Sequence, residues 1–325
     1  MSLATVDRVI NGRPGVRAST VRKVNETIER LGYRPNAAAS RLARGDTDRF
    51  CFVLPPDGTL PGITEAMARV SAWLAHHRVA SDVVRVDHGD AERLALAIEE
   101  ISSNVSGACI VGLDHPRVAA AVDLAAERGC AVSTIITDVP GSRRAEFFGI
   151  DDVSAGRVAG SLMGRFNAST PGTVAVVVDT AVERPQAKRL FGFAQILRRD
   201  YANLRLLAPR ETAGAEPATR RTVELIAMDT PDLVGIYSAA GDHEDAASVI
   251  GDMGLRSRVT IIGHGSGPPC RRLLQCGALD AVIGVDIVKI ISQAARFLLA
   301  LRTGEPLPDA EVSVGAEIYL RDNLP

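Results

Sequence analysis

At 325 residues, with 46% hydrophobic side chains, the chain is long enough for two or three domains that each bury a core. No apolar run reaches membrane-spanning length, and the amino terminus lacks the basic, apolar and small-residue succession of a signal peptide, so a cytoplasmic protein without a membrane partner is expected. The five cysteines (Cys51, Cys109, Cys130, Cys270, Cys276) are scattered without metal-ligand spacing, which argues against a metal centre and a disulfide framework.

The net charge of −2 hides an asymmetry: residues 1–49 carry ten basic and five acidic side chains, and the rest of the chain 27 and 34. A small basic head on a mildly acidic body is the electrostatic footprint of a nucleic-acid-binding module joined to something else. Within the head, Thr5, Val6, Val9 and Ile10 form an apolar stripe at helical spacing, and Asn11-Gly12 ends it. A second helix is predicted from Ser19 or Thr20 to Leu31, with Val21, Val24, Ile28 and Leu31 on one face and Gly32 as its stop. Arg34-Pro35 breaks the chain, and "NAAASRLARG" (36–45) reads as a short alanine-rich helix before a "DTDR" linker.

From Phe50 the pattern changes to short, nearly continuous apolar runs: 50–55, 82–86, 107–112, 131–137, 173–178, 233–237, 259–263 and 280–285. Helical stretches separate most of them, at 62–77, 90–104, 115–128, 152–167, 184–199, 242–253 and 286–302. Such alternation predicts parallel sheets covered on both faces. Two βα series, over 50–160 and 161–280, are too much for one small sheet. The expected fold class is α/β, with two doubly wound parallel-sheet lobes and a cleft between them, preceded by a small all-α head.

Polar residues collect where these strands end. Asp57 follows the first strand, Asp138 the fourth, and Asp151-Asp152 open the helix after "FFGI". Arg189 lies on a helix of the second series, Asp242 and His243 follow "GIYSAAG", His264 follows "VTIIG", and Asp286 follows "AVIGV". Taken singly, each acid is an ordinary cap; together, carboxylates and one arginine at strand carboxyl ends suit a polyhydroxylated or cationic ligand. For Asp151-Asp152, one capping acid beside one ligand-facing acid is expected. Enzyme motifs are poor: "GHGSG" (263–267) fails G-x-S-x-G, no P-loop, strand-borne GxGxxG or HExxH occurs, and His76-His77 are helical neighbours that point apart. No catalysis, cofactor or metal is expected.

The head resembles the LacI/GalR family of bacterial transcription regulators. V-x-R-V-x-N-G, then L-G-Y-x-P-N, then a short Leu-bearing helix follow that family's recognition, third and hinge helices in order. The body is similar to the family's periplasmic-binding-protein-like, type I core through "GIDDVSAGRVAG", "RLFGF", "GIYSAAGD" and "LDAVIGVD". The resemblance implies a head over 1–49 with its hinge helix at 36–45, one lobe over 50–160 with 281–305, and another over 161–280 with 306–325. It implies that Leu3, Ala4, Thr5 and Arg8 address the major groove and that Asn11 positions phosphates. Asn36 and Ala39 would sit on the hinge helix, where Leu42 would wedge into the minor groove at the operator centre.

In the core, Arg189 matches the Arg of R-x-x-G-F, a donor to sugar hydroxyls, and Asp138, Asp152 and Asp242 or His243 match positions that line the effector pocket, which Asp57 and Asp286 would join by their place at strand ends. Asp7 departs from the family by replacing a common Ser, and Val285 by replacing the Gln of many sugar-binding members. Set against the resemblance, the first helix of the family's helix-turn-helix would be absent before "MSL", so an N-terminally truncated head is expected, with residues 1–45 mobile or misdocked and binding operator poorly until that helix is restored. The implied function is a homodimeric regulator, a repressor, whose operator affinity shifts with a carbohydrate effector. The alternative is a transporter's solute-binding protein, which would need an anchor and no basic head.

Overall fold

The computed structural model describes residues 3–10, 14–31, 48–57, 60, 62–87, 89–179, 184–212, 216–240, 243–265, 267–306 and 315–324. The head begins with α1 (Leu3–Ile10), which packs on α2 (Ala18–Leu31). Val6, Val9 and Val21 are half-buried and Val24 is buried, so the apolar stripes of the two helices meet as their spacing predicts. The "NAAASRLARG" helix and its linker fall outside the described residues up to Asp48.

Two sheets follow. The first contains β1 (Asp48–Leu54), β2 (Val79–Arg85), β3 (Gly107–Val111), β4 (Ala131–Ile135) and β5 (Glu146–Phe148). All pair parallel in the order β2-β1-β3-β4-β5. The helices α3 (Ile63–His76), α4 (Ala91–Ile101) and α5 (Pro116–Glu127) connect them. After β5 comes α6 (Asp152–Phe166), and then the second sheet: β6 (Gly172–Val178), β7 (Leu204–Leu206), β8 (Arg210–Glu211), β9 (Leu233–Ser238), β10 (Thr260–His264) and β11 (Ala281–Gly284). Its helices are α7 (Arg184–Asp200), α8 (Glu216–Asp229), α9 (His243–Asp252) and α10 (Pro268–Gln275). The chain ends with α11 (Ile287–Thr303) and β12 (Glu317–Tyr319), which adds antiparallel to β11.

The second sheet runs β12-β11-β10-β9-β6-β7, with β8 also on β6. Taken in chain order, its parallel strands repeat the 2-1-3-4-5 arrangement of the first. Each sheet therefore reverses its winding beside its first strand, and crevices for ligands open at the carboxyl ends there. In β6, Val174, Val176 and Val178 enter one core cluster while Ala175 and Val177 enter the other, which is why the strand is apolar throughout rather than alternating.

Two helices exchange sheets. α6 leaves the first sheet but packs against α7, β10 and β11, whereas α11 leaves the second and packs against α3, β3, β4 and β5. Ile290, Ile291, Ala294, Ala295 and Leu298 of α11 are buried, and Phe297 meets Phe148 edge to face at 5.4 Å. Fully burying each such large apolar side chain contributes roughly 1.5–3 kcal/mol. These exchanges correct two expected lobe limits. Residues 152–160 and the strand 281–284, both expected in the first lobe, belong with the second sheet: α6 packs on α7, β10 and β11, and 281–284 is β11 itself, paired between β10 and β12.

Short strands and polar helices account for what the periodicity did not predict: β5, β7, β8, β12, α8 and α10.

Candidate functional site at the strand ends

At the start of α6, Asp151 caps the helix by accepting from Val153 N at 3.0 Å and from Ser154 Oγ. The Ser154 hydroxyl and the helix amides hold its carboxyl below the usual range. Asp152, the next residue, turns to α7 and accepts from Arg189 Nε at 2.8 Å. The two acids thus divide their work between capping and pairing.

Glycines set that pairing distance. A side chain at Gly156 would collide with the Arg189 carbonyl, and one at Gly192 with the Val153 carbonyl. With Ala155, Ala159 and Gly160 on the same face, α6 and α7 can approach backbone to backbone. Close packing fixes Arg189 beside Asp152. The guanidinium then reaches the reversal point of the second sheet, where Nη1 donates to the Ala239 carbonyl beyond β9 at 3.0 Å. Among the described residues, Nη2 is left as a donor.

Beneath this pair lies a buried polar contact. Tyr237 stacks on Phe193 of α7 with centroids 4.3 Å apart, and its hydroxyl lies 2.7 Å from His264 Nε2 on β10. Burial pushes the phenol pKa upward. Burial, reinforced by the Arg189 charge and then by His243, holds His264 well below the usual imidazole range, so it is neutral at physiological pH. Burial likewise raises Asp152, opposed by Arg189 and Lys188. The result is one ion pair and one neutral hydrogen-bonded pair at the carboxyl ends of β9 and β10. Such a set offers fixed donors and acceptors to ligand hydroxyls.

The other expected residues make contacts with partners other than Arg189. Asp57, largely exposed, accepts from Arg85 Nη2 at 2.6 Å and from Thr64 Oγ1. Asp138 accepts from Thr134 Oγ1 at 2.7 Å and from Arg144 Nη2 at 2.9 Å, beyond the end of β4. Asp286 caps α11 through Lys289 N in the crossover from β11. His243 does not join Arg189: its Nε2 lies 3.1 Å from Cys270 Sγ, against α10. Gly263 makes room for it, since a Cβ there would sit 3.0 Å from the imidazole. Asp242 falls outside the described residues, as do Asn11, Asn36, Ala39 and Leu42. In the head, Leu3, Ala4 and Thr5 lie on α1 and the Arg8 side chain is exposed on the same helix. Tyr237 was not among the expected site residues. A tyrosine inside the apolar run "LVGIYS" needs a partner for its hydroxyl, and that is the signal that points to it.

Two parallel-sheet lobes exchanging helices, with a polar cluster at the strand ends, define the class of periplasmic-binding-protein domains, and residues 51–306 match the family of that description. The chain belongs to that family, and its residues 1–36 match the family described as bacterial regulatory proteins, lacI family. Among curated relatives, catabolite control protein A of Priestia megaterium is 56% identical over 55 residues, 17% of each chain. The same-named protein of Staphylococcus aureus (strain Mu50) is 36% identical over 84 residues, 25% of this chain and 26% of the relative. The chain thus matches only 17–26% of these relatives' length. Among solved structures, GanP, a glucose-galactose binding protein from Geobacillus stearothermophilus, superposes with a TM-score of 0.73 at 21% identity, covering 86% of this chain and 99% of that one. AraP, an arabinose binding protein of the same organism, gives 0.75 at 18% identity, covering 86% and 98%. These likenesses are in fold. No helix among the described residues is long and apolar enough to cross a membrane.

Proposed function

We propose that the chain is a ligand-responsive transcriptional regulator, a repressor, that binds operator DNA as a homodimer and takes a small effector, a sugar or sugar derivative, between its two lobes. The observation that carries this reading is the Asp152–Arg189 pair, fixed by the glycine contact of α6 with α7 at the reversal point of the second sheet. Joined to a basic two-helix head of LacI type, a ligand site at the strand ends has a DNA-binding module to control. Thr5 and Arg8 on α1, with Leu3 and Ala4, would address base edges, and Asn11 the backbone. The names of the two superposed sugar-binding proteins support a sugar as the effector.

Control follows from differential affinity. Both crossovers, into α6 and into α11, join the lobes, so a ligand held at Arg189 and also touched from the first lobe favours one lobe arrangement over another. Arg144 with Asp138 is the first-lobe candidate for that touch. Two half-sites bound at once would convert a modest shift into a large change in occupancy.

The test is calorimetric titration of the chain with D-glucose, D-galactose and D-arabinose. At least one should bind, and Arg189→Ala should abolish its heat while circular dichroism shows a folded core. Undiminished binding by the variant would remove Arg189 from the site.

A further inference from the structure

Among the described residues, Arg189 and Asp152 satisfy each other's charge, and this bears on which ligands can enter. Arg189 spends Nε on Asp152 at 2.8 Å and Nη1 on the Ala239 carbonyl at 3.0 Å. The side chains of Arg189 and Asp152 retain only 21% and 16% of their accessible surface. The neighbouring His264 and Tyr237 are buried against each other and add no second cation. Asp151 adds a further negative charge beside Asp152, and Lys188 on the exposed side of α7 is the other cation acting on it. At the ends of the first sheet's strands, Arg144 is committed to Asp138 and Arg85 to Asp57.

An oxyanion accepting from Nη2 with the pair closed would lie beside the Asp152 carboxylate and be repelled by it, and pairing with the whole guanidinium would require drawing Arg189 away from Asp152. Close backbone contact between α6 and α7 at Gly156 and Gly192 leaves the two side chains little freedom to separate and re-pair with water. A mostly buried carboxylate stripped of its partner is strongly disfavoured. A hydroxyl has no such conflict, because it can accept from Nη2 and donate to a carboxylate oxygen while the pair stays closed.

We infer that the effector carries no charge, and that Asp152 is the specificity-determining residue that turns phosphorylated and acidic sugars away. This rests on the effector reading above and narrows it to neutral polyols.

The experiment titrates the full chain with matched pairs: D-glucose against D-glucose 6-phosphate, D-galactose against D-galacturonate, and D-arabinose against D-arabinose 5-phosphate. In any pair whose neutral member binds, the anion should bind on the order of a hundredfold more weakly. Asp152→Asn keeps an acceptor for Arg189 Nε without the charge, and should narrow that gap by strengthening anion binding. The wild-type comparison stands even if this variant folds poorly. An anion that binds the wild-type chain as tightly as its neutral partner overturns the inference and leaves the effector site intact. An unchanged gap in folded Asp152→Asn overturns the role given to Asp152. Failure of every compound, neutral and anionic, counts against the effector reading itself and the inference falls with it.

Discussion

The first and second sheets share one strand order but treat their carboxyl ends differently. At the first, Asp57 and Asp138 make pairs with Arg85 and Arg144 in loops that retain contact with water. At the second, Arg189 is clamped between Asp152 and the Ala239 carbonyl, over a tyrosine and a histidine that are nearly or wholly buried. The difference originates in the helices that cross over. α11 covers the first sheet with large side chains such as Ile290, Ile291 and Phe297, which keep backbones apart, whereas α6 meets α7 through Gly156, Gly160 and Gly192. Small residues at a helix contact bring polar groups near the helix ends into fixed register; bulky ones fill a core. The second lobe supplies a half-site clamped by glycine contacts, whereas the first supplies one exposed pair, Asp57–Arg85, and one half-buried pair, Asp138–Arg144, without such a clamp.

Breaking the glycine contact should produce the largest effect. Gly156→Val drives a side chain into the Arg189 carbonyl, a backbone atom that cannot step aside, and should destabilise the protein by about 3 kcal/mol. Thermal melts followed by circular dichroism would show it, and any neutral-sugar binding should be lost with it. Next comes Tyr237→Phe, which leaves His264 Nε2 buried without its hydroxyl partner and should cost about 1–3 kcal/mol in a denaturant titration. An unaltered midpoint would mean that the contact is not a fixed part of the fold.

Acidification provides a subtler probe. The folded His264 has its pKa depressed below the ordinary 6.5, so the unfolded chain binds more protons as pH falls through that value. The stability that neutral His264 contributes is thus present above about pH 6.5 and is lost below it, by up to about 1.4 kcal/mol per pH unit. Asp152, shifted upward, works in the opposite sense and favours the fold at more acid pH. His264→Gln should flatten the stability curve between pH 6.5 and 5 relative to the wild type; parallel curves would contradict the assignment. The smallest effect is expected in the first lobe. Asp57 is 70% exposed, so Asp57→Ala should change stability by no more than about 0.5 kcal/mol despite its 2.6 Å contact with Arg85.

Much of this was legible in the amino-acid order, and the exceptions have physical causes. Long apolar strands such as "TVAVVV" and capped helices such as the one opened by Asp151 announce themselves by periodicity and by chemistry at their ends. α8 stayed hidden because only part of one face, Val223, Ile226 and Ala227, is buried, and β5, β7 and β12 because three residues show no period. At the site, Asp152 and Arg189 could be placed from their position after strands. Tyr237 was concealed within an apolar run, and His243 was expected beside Arg189 although the vacant side-chain position at Gly263 admits it to the opposite side of β10, against Cys270. Sequence marks which residues end a strand; which face they turn to depends on the neighbours' volumes.

The central claim, that a neutral effector is held at the Asp152–Arg189 clamp of the second lobe, is tested most directly by hydrogen exchange on the full chain with and without a saturating neutral sugar identified by the titration. The account predicts added protection concentrated in the first turns of α6, around Arg189 in α7, and at the ends of β9 and β10. Protection confined to other surfaces, with these four segments exchanging as in the free protein, would contradict it.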